Sequence, residues 1–131
     1  MKFIHLTDTH VIGGGRTLFG ANPARRLARA VDSINAEHGD ADFVMLTGDM
    51  THWGDAEAYR AFHAEIARLR VPLHLMVGNH DDTEALAAQF PELPRDRHGF
   101  VQYALHGARP GDLPRHETPR QPCRELLRRP A

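Results

Sequence analysis

Three short polar clusters carry the residue types that bind divalent metal ions. They are Asp8-Thr9-His10, Gly48-Asp49 and Gly78-Asn79-His80-Asp81, in a chain that holds ten histidines. Carboxylate, imidazole and amide donors without a thiolate favour manganese, iron or zinc over copper(I) or an iron–sulfur cluster. Two such ions about 3.5–4 Å apart clamp a phosphate and activate water near neutral pH. The clusters therefore indicate metal-dependent chemistry on a phosphoester.

Each residue type has a distinct use in such a site. Asp8 and Asp49 supply anionic oxygens, and Asp49 is the natural bridge because a carboxylate has two oxygens. His10 offers an imidazole nitrogen and Asn79 an amide oxygen. His80 directly follows Asn79, so we predict that it reaches the substrate as a general acid or stabilises the leaving alkoxide.

An apolar run precedes each cluster, at residues 3–6, 43–46 and 73–77. Near-continuous apolar character is typical of parallel strands buried on both faces, with helices on either side of the sheet. In a parallel sheet the carboxyl ends of the strands share one edge, where α/β proteins build their sites. We therefore expect the three clusters to converge there.

Helical signals lie between the apolar runs. Asn22-Pro23 predicts a helix start and Gly39 a stop. Asp55 or a near neighbour is predicted to cap a second helix, which has Leu69 on its apolar face and is closed by Pro72. A third helix is predicted over residues 83–89. The resulting β-α-β-α-β order predicts an α/β layered sheet with right-handed crossovers.

The character of the chain changes after residue 105. Residues 100–105 predict one more strand, whereas residues 106–131 hold six Arg and five Pro and few apolar side chains. Such a segment buries too little surface to offset its ordering entropy. We predict a domain over residues 1–105 and a disordered tail over 106–131. A shift of reading frame near residue 105 is one hypothesis for this change.

The motifs D-x-H, G-D and G-N-H-D, in this order, resemble those of the calcineurin-like metallophosphoesterases. The stretches LTGDMTHWGDAEAYRAF and VPLHLMVGNHDD look most like the class III cyclic-nucleotide phosphodiesterases, a branch that includes glycerophosphodiesterases. The resemblance covers residues 2–105 and implies the N-terminal half of an α/β/β/α sandwich. It also implies the following roles: Asp8 and His10 as first-metal ligands, Asp49 as the bridge, Asn79 as a second-metal ligand, and His80 at the phosphate and leaving group.

The function that this resemblance implies is hydrolysis of phosphodiesters, of cyclic-nucleotide or glycerophosphodiester type, by a hydroxide activated by two Mn, Fe or Zn ions. Family members have a second half with three further histidines, two of them in a G-H-x-H motif. The downstream histidines here are His98, His106 and His116, and none lies in that motif. The alternative is therefore a truncated, largely inactive fragment or pseudoenzyme that binds metal or a partner.

The net charge, the cysteine count and the lengths of the apolar runs indicate which binding partners and which location to expect. A net charge of −1 does not favour nucleic acid or an anionic membrane, so a nucleic-acid-processing member of the family is a third, weaker interpretation. Cys123 is the single cysteine, and no leader or membrane-spanning run is apparent. We expect a cytoplasmic protein acting on a small phosphodiester. Half a sandwich would expose an apolar sheet face, which predicts a homo-oligomer or aggregation.

Several polar residues beside the clusters remain open to two interpretations. His52 and Trp53 follow the central cluster and either line the substrate pocket or form a solvated loop. Asp81 and Asp82 are expected to cap the third helix rather than bind metal. Arg16, in the Gly-rich loop of residues 13–15, either meets a phosphate or is solvated.

Overall fold

A three-stranded parallel sheet organises the first part of the chain, in a computed structural model that describes residues 1–106 and 115–117. Its strands are β1 (Phe3–Leu6), β2 (Phe43–Thr47) and β3 (Leu73–Met76), in the spatial order β1-β2-β3. The connecting helices are α1 (Pro23–Glu37) and α2 (Ala56–Ile66), and α3 (Thr83–Gln89) follows β3. The predicted β-α-β-α-β order and the α/β class are confirmed.

Each helix begins at a side-chain cap, because the first backbone N–H groups of a helix need an acceptor from outside it. The side chains of Asn22, Asp55 and Asp82 accept hydrogen bonds from the backbone three residues further on. Helix α2 is shorter than predicted. It ends at Ile66, and the N–H of Leu69 donates to the Ile66 carbonyl in a tight turn.

The helices cover one face of the sheet. Alternate strand residues share two buried clusters with the helices: Ile4, Leu6, Val44, Leu46, Leu73 and Leu75. Helix α1 contributes Leu27 and Val31 to the same core as Tyr59 and Phe62 of α2. The prediction of helices on either side was wrong, because two crossovers of the same hand, each to the next strand along, return to the same face.

The opposite face of the sheet is partly exposed. Phe3 and Met76 are 52% and 46% exposed, and Phe3 stacks on Phe43 at a ring-centroid distance of 5.3 Å. His74 is buried on this face, with its ring 5.4 Å from that of Phe43. The apolar side chains on this face, together with those that face the helices, account for the continuous apolar runs of the sequence.

The chain forms two compact units, Met1–Leu93 and Pro94–Ala131. In the second unit, β4 (Ala104–His106) pairs antiparallel with β5 (Arg115–Glu117). The strand predicted over 100–105 begins only at Ala104. Residues 96–100 form a turn instead, in which the Asp96 carboxylate accepts from the N–H groups of His98 and Phe100. The rest of the predicted tail lies outside the described residues, and the domain boundary at 105 stays a prediction.

None of the helices in the described part of the chain has the length and apolarity that crossing a bilayer requires.

Candidate metal centre

The loops that follow β1 and β2 run side by side and are joined by backbone hydrogen bonds. The N–H of Asp8 donates to the Gly48 carbonyl at 3.3 Å, and that of His10 to the Asp49 carbonyl at 2.9 Å. A bridge between Val11 and Thr51 extends the pairing further. The parallel register of β1 and β2 thus continues beyond the strands and places the first cluster directly beside the second.

The loop after β3 closes on Asp49 from the other side. The His80 N–H donates to Asp49 Oδ1 at 3.0 Å, and the Gly48 N–H donates to the Met76 carbonyl at 2.8 Å. Gly78 lies so close to Asp49 that no side chain fits between them. The convergence of all three clusters at the carboxyl edge of the sheet follows from these contacts.

Asp81 ties the second and third loops together. Its carboxylate accepts from the N–H groups of Gly78 at 2.9 Å and of Met50 and Thr51 at 3.2 Å each. The Tyr59 hydroxyl also donates to it, at 3.1 Å. Of the two residues predicted to cap α3, only Asp82 does so. The sequence alone does not reveal this role of Asp81, because two of its donors, Met50 and Thr51, lie about 30 residues upstream.

Three of the candidate ligands face one another. His10 Nε2 lies 3.7 Å from Asp8 Oδ1 and 3.8 Å from Asp49 Oδ2, and one donor atom of each residue lies within 4.8 Å of the others. Donors bound to one ion at about 2.0–2.2 Å are separated by no more than about twice that distance. The distances of 3.7 Å and 3.8 Å from His10 Nε2 are within this limit, so this oxygen and nitrogen set fits a divalent cation. Asn79 lies in the same turn as His80, and its side chain is exposed.

The backbone at these candidate ligands is strained. Asp8, His10 and Asp49 have φ values of 54°, 44° and 49°, in the left-handed region that non-glycine residues seldom adopt. Within the described residues, Phe19 is the one other non-glycine residue with positive φ. Strain of this kind persists where the surrounding structure holds a functional geometry. It is a second indication of a site, independent of the residue types.

His52 lies beside His10 and His80. Its Nδ1 is 3.3 Å from Nδ1 of His10, and its backbone oxygen is 2.8 Å from Nδ1 of His80. Desolvation lowers the pKa of the His52 imidazole, and repulsion from the neighbouring His80 and His10 lowers it further. His52 is therefore disposed to remain neutral and to accept a hydrogen bond.

The rim of the site carries aromatic and basic side chains. The Arg16 guanidinium lies 5.6 Å from the ring centre of Trp53, and its Nε–H donates to the Gly13 carbonyl at 3.0 Å. Trp53 is 57% and Phe19 is 94% exposed. Beside the candidate ligands is a cavity of about 430 Å³ whose lining includes Asp8, His10, Phe19 and Arg26.

Comparison with known proteins identifies similar sequences among the phosphoesterases. The family model described as calcineurin-like phosphoesterase matches residues 1–118. A probable cyclic nucleotide phosphodiesterase of Rhodopseudomonas palustris is 53% identical over 102 residues, which are 78% of this chain and 37% of the relative. A cAMP/cGMP dual specificity phosphodiesterase of Mycobacterium tuberculosis is 36% identical over 63% of this chain and 28% of its own length.

A third relative is named for a different kind of phosphodiester. A probable glycerophosphodiester phosphodiesterase of Arcobacter nitrofigilis is 31% identical over 70% of this chain and 34% of its own length. The chain thus spans about a third of the length of these curated relatives. All three relatives are named as phosphodiesterases, the class of enzyme that the motifs of this sequence indicate.

Proposed function

Because this chain belongs to the calcineurin-like phosphoesterase family, we propose that it is a metal-dependent hydrolase of small phosphodiesters, of cyclic-nucleotide or glycerophosphodiester type. The observation that carries this proposal is the convergence of Asp8, His10 and Asp49, whose donor atoms lie within 4.8 Å of one another. The names of the relatives support the substrate class.

The proposed site would hold two divalent ions. Asp8, His10 and Asp49 would bind the first, and Asp49 and Asn79 the second. Asp49 suits a bridging role because one oxygen faces His10 and the other accepts the His80 N–H. Divalent ions bound here would supply Lewis-acid polarisation of the phosphoryl group and a more acidic water. Mn, Fe and Zn all suit this donor set.

His80 is the proposed proton donor to the leaving oxygen. Its Nδ1 lies 2.8 Å from the His52 carbonyl oxygen, which can only accept, so the neutral ring carries its proton at Nδ1. To act as an acid, His80 must take up a second proton at Nε2 and pass it to the departing alkoxide. The His52 carbonyl orients the ring and stabilises the charged form in the meantime.

The cavity beside the ligands suits a small organic phosphodiester. Its volume of about 430 Å³ is within the range of sites for small ligands. Leu18, Phe19 and Leu27 give it apolar walls, and Arg26 adds a cation to the lining. The phosphate would lie at the ligands Asp8 and His10, and the organic group in the cavity.

Hydrolysis of bis(p-nitrophenyl) phosphate with added Mn²⁺ tests the proposal. We expect Asp49→Ala to lower the rate at least about 100-fold, because the ions contribute several kcal/mol to the barrier. Asp40→Ala is the matched control, since Asp40 is exposed and pairs with Lys2 on the surface. Equal rates for the wild type and Asp49→Ala would refute the proposal.

The content of bound metal separates the enzyme from the alternative. Stoichiometric Mn²⁺ that depends on Asp49, with no turnover of the phosphodiester, would identify a metal-binding chain without activity. Two ions per chain together with turnover would support the two-metal proposal.

A further inference from the structure

The imidazole of His10 meets that of His52 edge to edge, Nδ1 to Nδ1, at 3.3 Å. The other nitrogen of His10, Nε2, lies 3.7–3.8 Å from oxygens of Asp8 and Asp49. A neutral imidazole carries one proton, on one nitrogen or the other. For Nε2 to offer a lone pair to an ion between these carboxylates, the proton must be on Nδ1, where the available acceptor is His52 Nδ1.

The same requirement determines the tautomer of His52. If its Nδ1 accepts the proton of His10, its own proton is on Nε2. The backbone carbonyl of His52 meanwhile accepts from Nδ1 of His80 at 2.8 Å. One residue therefore contacts the Nδ1 atoms of both His10 and His80, through its side chain and its main chain.

Direct coordination of one ion by His10, His52 and His80 is the competing interpretation, since their nitrogens also lie within 4.8 Å of one another. The ring geometry does not favour it. The rings of His52 and His80 are stacked, with an interplanar angle of 22° and centroids 5.0 Å apart. Imidazole lone pairs lie in the ring plane, so those of two stacked rings do not converge on one point.

We propose that His52 is a positioning residue that sets the proton on Nδ1 of both His10 and His80, and so presents both Nε2 lone pairs to the site. Histidine in water favours the opposite tautomer, with its proton on Nε2, so an acceptor at Nδ1 is needed to reverse that preference. Partners that fix the tautomer of a ligating histidine typically change metal affinity about 10–100-fold.

Two substitutions separate the contributions of the side chain and the main chain. His52→Leu removes the acceptor for His10 but keeps the carbonyl that faces His80. His52→Asn restores an acceptor, because Asn Oδ1 occupies nearly the place of His Nδ1. His80 is thus an internal control in every variant.

Long-range ¹H–¹⁵N spectra of the labelled metal-free chain at neutral pH report each tautomer directly. We expect Nδ1–H for His10 and His80 and Nε2–H for His52 in the wild type. In His52→Leu, His10 should change to Nε2–H while His80 stays as it is, and His52→Asn should restore Nδ1–H at His10. A wild-type His10 in the Nε2–H form, or an unchanged His10 in His52→Leu, would overturn the proposal.

The consequence for metal binding rests on the proposed function and has its own measurement. Mn²⁺ titration should show about 10–100-fold weaker binding for His52→Leu and recovery to within a few-fold for His52→Asn. His63→Leu, on α2, is the control and should bind normally. If His52 itself were a ligand, its ring nitrogens would shift on Zn²⁺ binding, and that result would contradict the proposal. The tautomers can be read even if the chain hydrolyses nothing, so the two proposals fail independently.

Discussion

Gly78 touches Asp49 so closely that a side chain at position 78 would overlap it. A Cβ placed on Gly78 would meet the Asp49 backbone nitrogen and Oδ1 well inside contact distance, and Asp49 Cγ would be only 2.9 Å away. The glycine of the third cluster is therefore what lets the loop after β3 reach the central carboxylate. The geometry of the site depends on the absence of a side chain at position 78 as much as on the candidate ligands.

Gly78→Ala should therefore damage both stability and metal binding. Overpacking of this kind costs about 1–3 kcal/mol of unfolding free energy, and the displaced Asp49 should bind Mn²⁺ more weakly. Urea unfolding and Mn²⁺ titration measure the two effects. Gly39→Ala is the control, because a Cβ there meets its nearest neighbour, the Asn35 carbonyl oxygen, at an ordinary 3.5 Å. Equal unfolding free energies and equal Mn²⁺ affinities for the two variants would contradict the close contact between Gly78 and Asp49 as the cause.

Asp81→Asn should unfold more readily than Asp82→Asn, although the two residues are adjacent. The Asp81 carboxylate accepts from three backbone N–H groups and the Tyr59 hydroxyl, and an amide has only one oxygen to replace it. Loss of hydrogen bonds to a charged group costs about 1.5–3 kcal/mol. Asp82 is an N-cap, where Asn serves as well as Asp. Denaturant midpoints compare the pair, and similar losses would argue against an anchoring role for Asp81.

Glycine at position 49 should give a more stable chain than alanine there. Asp49 has φ of 49°, where a Cβ costs about 1–2 kcal/mol and glycine costs little. Arg29, an exposed residue within α1, provides the opposite control, since Arg29→Gly should be about 1 kcal/mol less stable than Arg29→Ala. Thermal unfolding of the four metal-free variants tests the pattern. If the alanine variant were the more stable one at both positions, the backbone at position 49 would not be strained.

Tyr59 should make the fold sensitive to high pH. Desolvation raises the pKa of its buried hydroxyl above the value of about 10 in an unfolded chain. The unfolded state therefore loses this proton first. The stability linked to Tyr59 is complete below about pH 10 and declines as the pH rises further, by up to about 1.4 kcal/mol per unit.

The Tyr59→Phe variant isolates this effect. It should be about 1 kcal/mol less stable at pH 8, because it lacks the hydrogen bonds to Asp81 and from the Asp82 N–H. Its stability should then fall less steeply above pH 10, so that the two curves converge. Parallel curves in chemical unfolding between pH 8 and 11 would show that the hydroxyl titrates normally.

The exposed face of the sheet should promote self-association. Phe3 and Met76 present apolar surface there, and such surface tends to be covered in solution. We expect light scattering to report a mass above that of one chain, and Phe3→Ser with Met76→Ser to lower it. A monomer at all concentrations for the starting chain would contradict this prediction.

Local signals in the sequence were sufficient for the starts of the helices and for most of the candidate metal ligands. Asn22, Asp55 and Asp82 marked the starts of the helices because a cap is a property of a few neighbouring residues. Asp8, His10 and Asp49 could be predicted to meet because parallel strands bring their carboxyl ends to one edge, wherever they lie in the chain. The site residues Asn79 and His80 were placed in the adjoining turn by the same rule.

Tertiary structure decided what depends on the register and packing of distant segments. Apolar runs could not show that both crossovers return to one face of the sheet, since the periodicity of a strand does not identify its neighbours. The left-handed backbone at Asp8, His10 and Asp49 is maintained by surrounding contacts against local preference. The contacts of Asp81 and His52 join loops some 30–40 residues apart. Residue types thus determined which chemistry was available to this chain, and the packing of three loops determined which of their atoms come together.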